Sequence, residues 1–190
     1  MMANVLIGQV LPGGLNDNYD KPKEKSENPF YFGIGVKGAN LINDWGVETG
    51  ISIGGYLSPY FAIDFHYYYL FTNNVKLFSD RPEFLRMEYY GLKVNPVLPI
   101  HKYIKLKGLG GLFLSHSSYS DNINFEQYKD LEGDWFFFSE LGLGLDIGIY
   151  EPFVISLESN YRFASGVDFN YIKNTNLSGV NFGIIFKVEL

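Results

Sequence analysis

The chain has 190 residues, which suits one domain large enough to bury a single core. Its net charge of −6 and the lack of a basic cluster give no reason to expect nucleic acid as a partner. With no Cys, disulfides and thiolate metal sites are excluded. No apolar run approaches the roughly 20 residues of a membrane-spanning helix. The 17 Phe, 15 Tyr and 21 Gly favour strands with aromatic ends over helices.

The first part of the chain differs in composition from the rest. Residues 1–14 include a short apolar run without the basic start of a secretory signal, and residues 15–28 are polar and highly charged. We therefore expect residues 1–28 to form an N-terminal leader, either flexible or the remnant of a signal. Residues 29–190 are expected to form the folded domain.

From residue 30 onward, apolar and polar side chains alternate in eight segments. A period of two is the period of a β-strand, because successive side chains point to opposite faces. The segments cover about 30–40, 46–57, 60–70, 84–97, 103–115, 135–150, 153–163 and 178–190. The fourth alternates imperfectly, since Arg86 and Glu88 fall on its apolar face. A bulge, or extension of the strand beyond a membrane, would explain these two residues.

The segment 135–150, WFFFSELGLGLDIGIY, has the clearest alternation. Its odd positions from Phe137 onward are mostly aliphatic, whereas its even positions carry Glu140, Asp146 and three glycines. A soluble sandwich would bury the aliphatic face against a second sheet. In a membrane barrel, the same face would contact lipid and the small, charged face would line a narrow lumen.

The connections and the aromatic residues favour the membrane barrel. Short, Pro-containing turns at 58–59, 98–102 and 150–152 alternate with longer polar connections at 71–83, 116–134 and 164–177, although the first connection is brief. This asymmetry is typical of barrels with periplasmic turns and extracellular loops. Aromatic side chains are expected to form a girdle at each rim. The predicted girdles comprise Tyr56, Tyr60, Phe61, Tyr103, Tyr150 and Phe153 at the short-turn end, and Tyr67, Tyr69, Trp135, Phe137, Tyr161 and Phe163 at the other.

Charged side chains fall on the face opposite the aliphatic one. A soluble barrel would fill its interior with apolar groups, because unpaired buried charge is very unfavourable. The pattern therefore predicts an all-β fold, an eight-stranded antiparallel up-and-down transmembrane β-barrel with both termini at the short-turn end. The predicted lumen set is Lys37, Lys93, Lys105, Lys107, Arg162 and Lys187 with Glu48, Asp64, Glu140, Asp146, Glu158 and Glu189, and His66 besides.

The last strand, VNFGIIFKVEL, carries the most specific pattern: a polar residue, a glycine and two spaced hydrophobic residues, here Asn181, Gly183, Phe186 and Val188. With the eight-strand pattern, the chain resembles the small outer-membrane β-barrels of Gram-negative bacteria of the OmpA/OmpX/opacity-protein type. The resemblance implies that these four residues form the signal read by the barrel-assembly machinery. It also implies a monomer in the bacterial outer membrane, contacting lipid and lipopolysaccharide. Many such proteins end in Phe or Trp, whereas this chain ends in Leu190.

Three functions remain open from the sequence. The lumen charges favour a paired structural plug, and a narrow channel for small solutes is the alternative. The third is a lipid A-modifying hydrolase. Barrel deacylases carry His-x-Ser-Asn on the penultimate strand, where this chain has Leu157-Glu158-Ser159-Asn160. His-x-Ser occurs instead at His116-Ser117-Ser118, at the predicted start of a loop.

We therefore expect a non-enzymatic structural or surface-interaction protein whose long connections meet an extracellular ligand. No cofactor or metal is expected. The acidic residues Asp121, Glu126, Asp130, Glu132 and Asp134 could bind Ca²⁺, but their spacing fits no defined calcium loop and a solvated loop is favoured.

Overall fold

A computed structural model describes residues 30–71, 75, 84–120, 133–168 and 172–190. The predicted leader therefore lies outside the described residues. Eight antiparallel strands and one short helix form in this part of the chain. They are β1 (Phe30–Leu41), β2 (Asp44–Ser58), β3 (Phe61–Leu70), β4 (Phe84–His101), β5 (Ile104–Ser120), β6 (Gly133–Tyr150), β7 (Phe153–Ser165), α1 (Asn174–Leu177) and β8 (Gly179–Glu189).

Each strand pairs with its neighbours in chain order, and β1 pairs with β8 to close the barrel. This is the predicted up-and-down order. Closure leaves no open sheet edge over the length where all eight strands pair, so the backbone donors and acceptors there have partners within the barrel. None of the helices in the described ranges is long and apolar enough to cross a membrane.

The alternation in the sequence places the two faces as predicted. On β1, Phe30 and Ile34 are exposed while Tyr31 and Lys37 are buried. The same pattern continues around the barrel and leaves the outer wall covered with exposed Leu, Ile, Val and Phe side chains, Leu112 being 74% exposed. An apolar exterior and a charged interior fit a lipid environment rather than water.

Several strands are longer than the sequence predicted. Strand β5 continues to Ser120 and β6 begins at Gly133, so His116 lies within a strand and not in a loop. Pro99 lies in β4, and the turns at the short-turn end are residues 59–60, 102–103 and 151–152. The connection predicted at 164–177 begins after Ser165 and contains α1.

Two details of the predicted exterior are resolved. Strand β4 keeps regular pairing with β5 through Arg86 and Glu88, so no bulge accounts for their outward positions, and extension of the strand beyond a membrane stays a prediction. Tyr56 does not belong to the girdle at the short-turn end. Its side chain lies in the lumen and is only 6% exposed, whereas Tyr60 and Tyr150 at that end are exposed.

Candidate functional site in the barrel lumen

The structure brings the thirteen predicted lumen residues together inside the barrel. Lys105 and Glu189 lie at the short-turn mouth, with side chains 29% and 18% exposed. The other members are buried. They come from all eight strands, because each strand turns one of its two faces inward. The lumen therefore contains a continuous set of charges from the middle of the barrel to its short-turn mouth.

Arg162 occupies the centre of this set. Its Nη2 lies 3.0 Å from Glu48 Oε1 and 3.3 Å from Glu140 Oε1, and Tyr89 donates a hydrogen bond of 2.5 Å to Glu48 Oε2. The guanidinium also lies 4.5 Å from the centre of the Phe138 ring. Two carboxylates thus share one guanidinium, which partly compensates all three groups for loss of water.

Glu140 connects Arg162 to the lysines. Its Oε2 lies 3.5 Å from both Lys37 Nζ and Lys93 Nζ, and its Oε1 accepts a hydrogen bond of 3.0 Å from Asn181 Nδ2. Lys93 in turn makes a closer contact of 2.8 Å with Glu158. Because neighbouring ions share partners, removal of one of them changes the surroundings of several others.

A second group of ions lies nearer the short-turn end. Lys107 Nζ lies 2.8 Å from Asp146 Oδ1 and 3.7 Å from Glu158 Oε1, and it donates to Ser156 Oγ at 2.9 Å. Lys187 Nζ lies 3.7 Å from Asp146 Oδ2. These contacts continue the alternation of positive and negative groups along the lumen.

Asp64 has mostly neutral partners. It accepts hydrogen bonds from Tyr31 and from Asn95 Nδ2, the latter at 2.8 Å, and it lies 3.4 Å from His66 Nε2. At the mouth, Lys105 Nζ lies 3.3 Å from Glu189 and 3.0 Å from Tyr56 Oη. Tyr31, Tyr89 and Asn95 belong to this network as well, although the predicted lumen set did not include them. Each of the three stands at one of the alternate positions that its strand turns inward, and this was the signal available in the sequence.

The loop end of the lumen is mainly apolar, with buried Ser115 and Ser117 among its side chains, and this layer was not predicted from the sequence. Val75 and the buried residues Ile172 and Leu177 pack there against inward side chains of the strands. Ile42 N donates a 2.7 Å bond to Asn176 O, which holds the last connection against the first. The strand residues in this layer are Ala39, Leu41, Tyr68, Leu70, Leu85, Met87, Tyr89, Phe113, Phe136 and Phe138. Among the described residues, ions thus fill the lumen from its middle to the short-turn mouth, and mainly apolar side chains fill its loop end.

The predicted assembly-signal residues divide between the two faces of β8. Asn181 and Gly183 point into the lumen, where a Cβ on Gly183 would lie 2.9 Å from Lys37 Cγ. Phe186 points outward and is 62% exposed. Recognition by the assembly machinery stays a prediction, but two of the four positions also have a packing role.

The residues considered for hydrolysis are not assembled into a triad. His116 Nδ1 lies 3.9 Å from Glu88 Oε1 on the outer face, and the His116 ring lies 4.8 Å from that of Trp135. No hydrogen bond between His116 and Ser118 is present among the described residues. A serine without a base is a poor nucleophile. Ser159 faces outward, and its partners across the sheet are Leu143 and Phe182.

Most of the acidic connection, including Asp121, Glu126, Asp130 and Glu132, lies outside the described residues. Asp134 is described, and its carboxylate accepts a 2.7 Å hydrogen bond from the backbone N–H of Asp168. Within the described ranges, no group of three or more His, Asp or Glu side chains could hold a metal ion.

No protein-family model and no curated protein matches the sequence. The fold does match solved structures. Neisserial surface protein A has 14% identity and a TM-score of 0.60, over 87% of this chain and 98% of that chain. The attachment invasion locus protein Ail of Yersinia pestis has 16% identity and a TM-score of 0.52, over 85% and 96%. The N-terminal β-barrel domain of Pseudomonas aeruginosa OprF has 14% identity and a TM-score of 0.53, over 84% and 97%.

Identities this low establish the fold alone. The chain has the fold of the small eight-stranded outer-membrane β-barrels, so the predicted resemblance and the predicted architecture are confirmed. Its apolar exterior and its outer-membrane structural neighbours agree with the expected location in a bacterial outer membrane.

Proposed function

We propose that this chain is a small outer-membrane protein with a structural and surface-interaction role. Its barrel anchors the long connections at the outer surface, where they contact an extracellular partner. The filled lumen is the observation that carries the proposal. A barrel packed with ion pairs at one end and with apolar side chains at the other supports loops but provides no path for solutes.

The packing of the lumen argues against a channel. Lys93 contacts both Glu140 and Glu158, and Arg162 contacts both Glu48 and Glu140. Moving an ion past these pairs would require separation of buried opposite charges, which is strongly unfavourable. Beyond them, an ion would meet a layer lined mainly by apolar side chains, such as Leu85, Phe136 and Leu177.

The charge of one long connection, 116–134, narrows the class of partner that this connection would contact. One neighbouring structure contains Ail in complex with the heparin analogue sucrose octasulfate, a polyanion. The 116–134 segment of this chain, HSSYSDNINFEQYKDLEGD, has five acidic residues and one lysine. Like charges repel, so a neutral or cationic partner is favoured over a sulfated sugar. Outer-membrane lipid, lipopolysaccharide and the barrel-assembly machinery complete the proposed set of partners.

Planar-bilayer recording tests the closed lumen. The refolded protein is expected to give no conductance steps above those of protein-free bilayers. As a positive control, Arg162→Ala combined with Lys93→Ala removes the central cations and is expected to admit ions or to destabilise the barrel measurably. Regular conductance steps from the unmodified protein would establish a channel and overturn the proposal.

Cell-binding assays test the surface role. Cells that display the protein are compared with cells that display a variant in which residues 121–132 are replaced by a Gly/Ser linker of equal length. Loss of adhesion to neutral or cationic surfaces in the variant, with equal amounts of folded barrel in both, is expected. Equal adhesion with all three long connections replaced in turn would contradict a surface-interaction role.

A second candidate function, lipid hydrolysis, is favoured only by the Glu88–His116 contact. His116→Ala cells are expected to have the same lipid A and phospholipid profiles as unmodified cells. A change in acylation that depends on His116 would establish the hydrolase instead.

A further inference from the structure

The β1–β2 connection contains a residue in an unfavourable backbone conformation. It consists of Ile42 and Asn43, between the paired strand ends Leu41 and Asp44. Both residues have positive φ, 51° at Ile42 and 66° at Asn43. A two-residue hairpin turn with this φ pattern prefers Asn-Gly or Asp-Gly. Asparagine tolerates positive φ, whereas a β-branched residue such as isoleucine is a genuine outlier there.

The contacts of Ile42 explain why isoleucine occupies this place in the turn. Its N–H donates a 2.7 Å hydrogen bond to Asn176 O, in the connection that precedes β8. Its side chain is partly buried against the apolar layer at the loop end, to which Leu177 also belongs. An asparagine or a glycine would suit the turn better but would lose the apolar contacts. Ile42 therefore contributes to the packing of the last connection despite its unfavourable backbone conformation.

Residues 172–178, which include α1 and which we call the cap, cover the loop end of the lumen. Ile172 and Leu177 are buried on its inner face, whereas residues 173–175 are polar and exposed. The hydrogen bond from Ile42 holds the cap against the β1–β2 turn. Closed in this way, the cap shows polar side chains to the exterior and hides the apolar layer behind them.

The two strands that flank the last connection hold it differently. Ser178 Oγ accepts a 3.0 Å hydrogen bond from Ala164 N, and a Cβ on Gly179 would lie 2.6 Å from Asn40 O. The end next to β8 is therefore packed closely. At Gly166, directly after β7, φ is 80°, and no atom of the described residues lies within 4 Å of a Cβ placed there. A glycine at the end of an element, without packing around it, can absorb backbone rotation as a hinge.

We propose that Ile42 is the latch of the cap, and that the cap opens away from the lumen while the barrel stays closed. In the closed state, contacts with the cap offset the unfavourable backbone of Ile42, since local strain persists only where the surroundings hold it. Opening uncovers apolar side chains such as Leu41 and Leu70, so the loop end has a polar and an apolar surface state. Ile42 sets the balance between the two states. The inference concerns this conformational change and holds whichever partner the long connections bind.

Thiol labelling measures opening of the cap, because the chain has no Cys of its own. Leu177→Cys places a reporter on the buried face of the cap, and Ser52→Cys places one inside the barrel on β2. The two proteins are refolded into vesicles and treated with N-ethylmaleimide, which reaches both sides of the membrane. The reporter at position 177 is expected to react more slowly than free cysteine. It is expected to react faster than the reporter at position 52, which becomes accessible only when the barrel unfolds.

Ile42→Asn, made in both reporter proteins, separates the latch from the turn. Because asparagine tolerates positive φ, the free energy of unfolding of the barrel in urea is expected to stay the same or to increase. Labelling at position 177 is expected to become roughly tenfold faster, since the partly buried isoleucine side chain is lost. Asn43→Gly is the matched control. It also suits the turn, but the Asn43 side chain is exposed, so labelling at position 177 is expected to stay the same.

Heat-modifiable gel mobility confirms the folded barrel in every sample, and Ile42→Gly gives the same test if Ile42→Asn does not fold. Equal acceleration of labelling at positions 177 and 52 would show general destabilisation and overturn the proposal. An unchanged rate at position 177 in both Ile42 variants would overturn it as well, because the cap would then not depend on Ile42. Reaction of the Leu177→Cys reporter at the rate of free cysteine would show that the cap has no closed state, which also contradicts the latch.

Discussion

Arg162 on β7 and Glu48 on β2 meet in the lumen at 3.0 Å, although their strands are not neighbours in the barrel. The contact therefore joins separate parts of the wall through the interior. Tyr89, from β4, donates to the same carboxylate. Backbone hydrogen bonds between neighbouring strands close the wall. The buried ion pairs add contacts across the lumen between strands that are not neighbours.

Arg162→Met tests this role. The change leaves Glu48 and Glu140 buried without their shared cation, and loss of one partner from a buried ion pair costs about 3–5 kcal/mol. Urea unfolding in lipid vesicles is expected to show a decrease of that size in the free energy of unfolding. Adding Glu48→Gln is expected to restore part of it, because one unpaired charge is removed.

Lys105→Met provides the comparison at the mouth of the barrel. Lys105 and Glu189 are 29% and 18% exposed, so water compensates for much of the lost contact. The expected loss is below about 1 kcal/mol. Equal losses for Lys105→Met and Arg162→Met would contradict the view that burial makes the central pairs important.

The lipid-facing exterior predicts a dependence on depth. Leu143→Arg places a cation in the middle of the outer wall and is expected to lower the free energy of unfolding by about 2–4 kcal/mol, whereas an arginine near the interface costs about 0–1 kcal/mol. Tyr150→Arg, at the short-turn rim, provides the interfacial comparison. Vesicle unfolding with both variants measures the difference. Similar small effects at both positions would contradict insertion of this wall into lipid.

The apolar layer at the loop end also has a testable role. Leu177 is fully buried there, and Leu→Ala in a packed core costs about 2–5 kcal/mol. For Leu177→Ala, we expect local opening of the last connection rather than loss of the barrel, because α1 belongs to no strand. Hydrogen exchange of the Ile42 amide, which donates to Asn176 O, is expected to become faster. Equal acceleration at Ile51 in β2 would instead indicate general destabilisation.

The barrel and the inward charges could be predicted because each depends on strand parity, that is, on whether a residue stands at an odd or an even position along its strand. Once Phe137 and Leu141 face outward, Glu140 and Asp146 must face inward. The partners could not be predicted in this way: parity places Arg162 inside, but only barrel closure determines that Glu48 lies opposite. The same limit explains the error at Tyr56, whose inward parity conflicted with its place near a rim.

The apolar layer was missed for a different reason. Its strand residues, such as Leu85, Met87 and Phe138, have the parity of lumen residues, but a lumen was expected to be polar throughout. Val75 and Leu177 come from connections, where no period indicates which side chain folds inward. The end of β5 was also predicted too early, just before His116. Serine-rich sequence is typical of loops, but it also occurs in strands that extend beyond a membrane.

The last strand allows assembly to be separated from stability. Phe186 faces lipid, whereas Asn181 donates to Glu140 at 3.0 Å. If both residues belong to the assembly signal, Phe186→Ala and Asn181→Leu should each reduce the folded fraction in cells. Refolding in vitro needs no assembly machinery. Phe186→Ala is expected to refold there with little change, whereas Asn181→Leu is expected to lose about 1–3 kcal/mol because Glu140 loses a buried donor.

Gel mobility before and after boiling gives the folded fraction in cells, and urea unfolding in vesicles gives the stability. Val180→Ala, at another outward position on β8, is the control and should assemble normally. Normal assembly of Phe186→Ala in cells would contradict the predicted signal.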